Sequence, residues 1–139
     1  MKEFESEFLG SVNTLISPAK IKNTVYLDPI RSQGSVDQYE EPIKGNTYVV
    51  TVDVARGVDK DYSAFVVFDV TQMPFRVVAI YKNNEVKPFV FPNIISEIAK
   101  RYNEAHILTE VNDIGQQIAE ALQFEIEYPN VLMCTQKGR

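Results

Sequence analysis

Three apolar, β-branched runs follow one another almost without pause: Tyr48-Val-Val-Thr-Val-Asp-Val54, Tyr62-Ser-Ala-Phe-Val-Val-Phe-Asp-Val70 and Phe75-Arg-Val-Val-Ala-Ile-Tyr-Lys82. Strands this close in sequence have room only for short connections, so they predict an antiparallel meander. Thr71-Gln-Met-Pro74 reads as the turn between the second and third. In the second run Ala64, Val66 and Phe68 alternate to one face and Phe65 and Val67 to the other, so both faces are apolar and both call for cover.

Two helical segments are positioned to supply it. Pro92 stands at a first-turn position, and Ile94, Ile95, Ile98, Ala99 and Tyr102 recur at the helical period through Asn103. A fourth strand, Ala105-His-Ile-Leu-Thr-Glu-Val111, follows. Asp113 is read as the cap of a second helix, with Gln116 three residues on and Ile114, Ile118, Ala121 and Leu122 on its inner face. Asn130-Val-Leu-Met-Cys134 is a short last strand. The order β-β-β-α-β-α-β predicts an α/β fold with a mixed sheet. Its first three strands are antiparallel, the helix-linked later strands run parallel to the first, and helices lie on both faces.

Residues 1–45 carry no sustained period and are punctuated by Gly10, Pro18, Pro29, Gly34, Pro42 and Gly45. They read as an irregular arm or linker, in which Ser17-Pro18 starts one helical turn through Lys22. The organised domain begins at residue 46 and runs to 139.

Charge narrows the function classes. Fourteen Lys and Arg against 19 Asp and Glu give a net charge of −5, which argues against nucleic-acid binding by bulk charge. An acidic active site that repels phosphates until a cation fills it remains compatible with this balance. The single Cys134 excludes a disulfide framework and a multi-cysteine zinc site. No run is apolar for long enough to span a bilayer, so no membrane partner is expected and a cytosolic setting is.

Two carboxylates stand out. Asp53 and Glu110 each lie one residue from the end of an otherwise apolar strand, where an ionised group must shift its pKa, pair with a cation or bind a metal. If the fourth strand lies beside and parallel to the first, both emerge at one carboxyl edge and offer two hard oxygen donors to Mg²⁺ or Mn²⁺. Asp61 opens the second strand almost opposite Asp53 and could share the outer shell of that site, while Arg56 and Lys60 in the same loop could contact phosphates. Plainer readings exist for each acid: Asp53 as a turn cap, Glu110 as the ion-pair partner of Lys100 or Arg101, and Asp61 as a turn residue before a strand. His106 shares the face of Leu108 and Glu110 and reads as a packed or edge residue.

Asp53-Val-Ala-Arg-Gly57 followed by Asp61-Tyr-Ser63, then Thr109-Glu-Val-Asn-Asp-Ile-Gly115, resembles the nuclease domain of the large terminase subunit of tailed bacteriophages. The likeness extends upstream to Glu7-Phe-Leu-Gly-Ser11 and Thr14-Leu-Ile-Ser17, which look like the segment joining the packaging ATPase to that nuclease. The resemblance implies a ribonuclease-H-like fold and divalent-metal cleavage of concatemeric double-stranded DNA during head filling, in the cytoplasm of an infected or prophage-bearing bacterium. It implies Asp53 and Glu110 as two of three metal-binding carboxylates in a two-metal site, with Asp53 bridging the ions, Glu110 ligating one and Asp61 positioning a ligand. The terminase ATPase domain, the small terminase subunit and the portal are the implied protein partners.

The family's third carboxylate is an aspartate far downstream that finds no counterpart before Arg139, so the domain is expected to be incomplete at its C-terminal side. No Gly-rich loop ending in Gly-Lys-Ser/Thr occurs, and no nucleotide is expected here. Two alternatives remain open from sequence. One is a catalytically incomplete module that binds DNA or a partner; the other is a different ribonuclease-H-like enzyme, a junction resolvase or an ATPase.

Overall fold

The computed structural model describes residues 15–54 and 62–134 of the 139-residue chain. Its elements are α1 (Pro18–Lys22), β1 (Arg31–Gln33), β2 (Val36–Gln38), β3 (Tyr48–Asp53), β4 (Ser63–Asp69), β5 (Arg76–Asn83), α2 (Phe91–Arg101), β6 (His106–Glu110), α3 (Asp113–Glu120) and β7 (Val131–Cys134). A π-helical turn, Ala121–Glu125, continues α3. The strands form one seven-stranded sheet in the order β1-β2-β5-β4-β3-β6-β7. As the sequence predicts, β3, β4 and β5 form an antiparallel meander, β6 runs parallel to β3, and β7 runs parallel to β6.

The irregular reading of residues 1–45 is corrected over Arg31–Gln38. This segment is a β-hairpin whose second strand pairs antiparallel with β5, Val36 opposite Tyr81 and Gln38 opposite Ala79. Gly34 and Ser35 both take left-handed backbone conformations, φ 53° and 60°, the combination a two-residue hairpin turn of matching twist requires. The hairpin is held by polar contacts. Arg31 donates to the Gln38 carboxamide at 3.1 Å and to Glu41 at 2.9 Å, and Arg76 bridges Glu40 at 3.0 Å and Asp69 at 3.1 Å. The Tyr102 hydroxyl donates to the Glu40 carbonyl at 2.6 Å, tying the end of α2 to the same stretch. The single helical turn expected after Ser17 is present as α1, with the Ser17 hydroxyl accepting from the Lys20 amide.

The core lies between one face of the sheet and the two longer helices. Tyr48, Val50, Val52, Phe65, Val67, Ala79, Tyr81 and Ile107 project from the strands to meet Phe91, Ile95, Ile98, Ala99 and Tyr102 of the α2 region and Ile118 and Leu122 of the α3 region. Aromatic pairs lock this layer: the Phe65 and Tyr81 rings stack at 4.9 Å, and Tyr102 meets Tyr48 edge-on at 5.1 Å.

Helices were expected on both faces. Among the described residues, α2 and α3 occupy the same one. The crossover from β5 through α2 to β6 and the crossover from β6 through α3 to β7 advance in the same direction across the sheet, and two right-handed crossovers of that kind deposit their helices on one side. The second, open face of the sheet, with Val49, Thr51, Ala64, Val66, Phe68 and Leu108, is half-buried.

Candidate metal centre

The register across the middle of the sheet settles where the two sequence-selected carboxylates stand. Val52 lies opposite Phe65 of β4 and opposite Thr109 of β6, all three on the helix-covered face. The next residue along each parallel strand, Asp53 and Glu110, therefore projects to the open face at the carboxyl end of its strand. Neighbouring strands are about 4.8 Å apart, so the two side chains spring from adjacent points on one edge. Asp53 is exposed and Glu110 half-buried.

What surrounds them separates a metal-ligand reading from a structural one. Neither acid forms an ion pair with a described residue, and Glu110 pairs with neither Lys100 nor Arg101, which removes the salt-bridge alternative. Asp69, at the opposite end of β4, shows what a structural carboxylate in this sheet looks like. It is 2% exposed, accepts from Asn46 Nδ2 at 2.9 Å and from the Thr71 amide at 3.0 Å, and meets Arg76 at 3.1 Å. Burial pushes its carboxyl pKa up, but the Thr71 and Asn46 hydrogen bonds and the Arg76 charge outweigh that and hold it below the usual value. Asp53 and Glu110 have no comparable set of described donors. Asp53 and Glu110 are thus two adjacent carboxylates without an ion-pair partner among the described residues, and oxygen donors of this kind suit a hard divalent cation such as Mg²⁺ or Mn²⁺.

The segment after Glu110 explains how it is held. The Asn112 amide donates to the Glu110 carbonyl at 3.1 Å, and the Asn112 side chain caps α3 by accepting from the Gly115 amide at 2.8 Å. The cap is thus Asn112 and not Asp113, because Asn112 has the extended backbone (φ −112°, ψ 179°) that an N-cap needs. Gln116 bonds Glu120 at 2.9 Å instead of closing a capping box. Gly115 is buried against the end of β6, where a Cβ would fall on the Glu110 carbonyl oxygen. This is why the turn after Glu110 needs a residue without a side chain.

Asp61, Arg56 and Lys60 lie outside the described residues, as does Glu7–Ser11. Among the described residues no three acidic, histidine or cysteine side chains come together. His106 is exposed on the open face, at the amino end of β6 and away from the carboxyl edge. Sequence reasoning passed over Lys82, which register places in the same row of the open face as Asp53: Asp53 is opposite Ala64, and Ala64 is opposite Lys82. The alternation of β5 carried that signal, but only once the pairing was known.

Carboxylates at the carboxyl ends of adjoining parallel strands, behind an antiparallel meander, mark the ribonuclease-H-like class. The sequence family described as the terminase RNaseH-like domain matches residues 50–136, more than half of the chain, and the chain belongs to that family. Among solved structures, the large terminase nuclease of thermophilic phage G20c with bound magnesium is similar at a TM-score of 0.66 and 19% identity, over 81% of this chain and 56% of that one. The same nuclease with bound zinc gives a TM-score of 0.65 at 20% identity, over 81% and 61% of the two chains. The large terminase nuclease domain of Thermus phage P74-26 gives 0.62 at 21%, over 81% and 54%. The chain spans little more than half the length of these structures, and at such identities the likeness establishes the shared fold.

Proposed function

We propose that this chain contributes Asp53 and Glu110 to a divalent-metal site that hydrolyses phosphodiester bonds of double-stranded DNA, as part of a phage packaging terminase. The observation that carries the proposal is the pair itself: two carboxylates without described ion-pair partners, on adjacent parallel strands, at the edge of the sheet where such folds bind ligands. Family membership and the metal-bound structures of similar nucleases support it.

Asp53 and Glu110 would hold divalent cations at this edge, which when bound would supply Lewis-acid activation of water and neutralise charge on the phosphate, in the two-metal manner. The protein's part is to hold the ligands still. Asp53 is fixed by β3, an interior strand of the sheet between β4 and β6. Glu110 is fixed by the Asn112 turn and by the close contact with Gly115. We assign Asp61 to the same site as a further ligand or outer partner, from its position in the motif. Mg²⁺ or Mn²⁺ is the cation we assign, and the work would be done in the host cytoplasm alongside the terminase ATPase domain, the small subunit and the portal. No described helix is long and apolar enough to cross a membrane.

The test uses a nuclease domain containing this segment, assayed for plasmid nicking with Mn²⁺ and for Mn²⁺ uptake by calorimetry. Asp53→Ala or Glu110→Ala should abolish cleavage and weaken uptake. Undiminished cutting by either variant overturns the assignment. Metal uptake without cutting by the 139-residue chain itself would instead support a binding module that needs further residues to cut.

A further inference from the structure

The row of residues that contains the acidic pair continues across the open face to a basic one. From Asp53 it passes to Ala64 of β4 and then to Lys82 of β5. Two strand spacings of about 4.8 Å put Lys82 roughly 10 Å from Asp53 along that row. Ala64 between them carries only a methyl group, so the row itself puts no large side chain between Asp53 and Lys82. Lys82 is exposed, and its Nζ lies 4.2 Å from the centroid of the Tyr62 ring, itself 45% exposed. Among the described residues no carboxylate pairs with it. A lysine braced on an aromatic face keeps its charge and its donors available while losing part of its freedom, which lowers the ordering needed to meet an anion.

We infer that Lys82, oriented by Tyr62, contacts a phosphate of the DNA strand lying across the open face, displaced from the phosphate that the cation at Asp53 and Glu110 would engage. This inference rests on the metal-dependent DNA reading above and adds a residue that positions the strand. The chemistry suits the task. The chain is acidic overall, at a net charge of −5, so local cations must supply the attraction along the backbone. A lysine acting as a point charge on a phosphate reads no base and discriminates no sequence, as expected for backbone positioning.

The test compares the full chain with its Lys82→Ala, Lys82→Arg and Tyr62→Leu variants. A fluorescent blunt-ended duplex is titrated in the presence of Ca²⁺ over a range of KCl concentrations, and Mn²⁺ uptake is measured separately by calorimetry. Loss of one phosphate contact should make the slope of log affinity against log salt shallower by about 0.9 in Lys82→Ala. Lys82→Arg should restore the slope, and Tyr62→Leu should lose affinity in part. Mn²⁺ uptake should be the same in all four proteins. An unchanged slope and affinity in Lys82→Ala, or a chain that binds no duplex, overturns the inference. If the parent takes up no Mn²⁺ while the Lys82-dependent slope persists, the metal reading falls and the phosphate contact stands.

Discussion

Gly115 sets its bare α-carbon against the Glu110 carbonyl oxygen, in the space any other residue would fill with a Cβ. The first turn of α3 and the last residue of β6 are thereby locked together. Gly115→Ala should force them apart, at a cost of about 1–3 kcal/mol typical of overpacking at a site that cannot yield. The shift should carry the Glu110 side chain with it, so Mn²⁺ affinity should fall as well. Thermal melts and calorimetry on the same protein check both; a variant with parental melting and parental uptake would exclude this role.

Asp53 and Glu110 are both acidic and stand at the ends of neighbouring strands, an arrangement of like charges that generally costs stability when no cation lies between them. Asp53→Asn and Glu110→Gln should therefore leave the metal-free protein as stable as the parent or more stable, by up to about 1 kcal/mol. The stabilisation by saturating Mn²⁺, about 2.7 kcal/mol at a hundredfold excess over Kd, should disappear in both. Melts in chelator and in Mn²⁺ measure the two effects separately. A large loss of stability in chelator would mean that the acids serve the fold.

Asp69 should behave in the opposite way. Its carboxyl pKa is lowered in the folded state, because the hydrogen bonds from Thr71 and Asn46 and the Arg76 charge overcome the upward push of burial. A depressed pKa contributes stability that is present above the unfolded value, near 3.9, and is lost as pH falls through the folded one. Asp69→Asn should cost about 1–3 kcal/mol at neutral pH, and the difference from the parent should narrow under acid. Urea unfolding measured from neutral pH down to acid provides the comparison; a gap that stays constant with pH would contradict the account.

Tyr128 contributes to the alkaline limit. Its hydroxyl donates to the Ala105 carbonyl at 2.6 Å in the core, and burial, with a smaller contribution from the Glu104 charge, raises its pKa to about 12. The neutral phenol is favoured in the fold, so its contribution is intact below the unfolded value of about 10 and is lost as pH rises through the folded one. Tyr128→Phe should cost about 1 kcal/mol at neutral pH and reduce the alkaline loss. Ultraviolet titration of the phenolates should show one fewer late-ionising tyrosine in the variant than in the parent, and an equal number would contradict the account.

The elements from residue 48 onward were legible because their signals are local. β-Branched runs, the spacing of Ile95, Ile98 and Ala99, and the Ser17-Pro18 start each declare themselves within a few residues. The hairpin of residues 31–38 was not legible. β1 is exposed along its whole length and carries no apolar alternation, so only its pairing partner reveals it as a strand. The α3 cap was misread by one residue, since Asn112 and Asp113 are both good capping residues and the choice falls to backbone conformation. Asp69 drew no attention in sequence because its partners, Asn46 and Arg76, come to it from other segments.

By itself the sequence determined the type and order of the central elements and put one acid at the end of each of two apolar strands. These follow from periodicity and from the cost of a charge in an apolar run, which depend on neighbours along the chain. Only the tertiary structure decided that those strands lie side by side in register, that Lys82 shares their row, and that both long helices cover the other face. Each of these depends on how a crossover closes over the sheet and which strand accepts which partner, and such long-range pairing leaves no mark on any one segment.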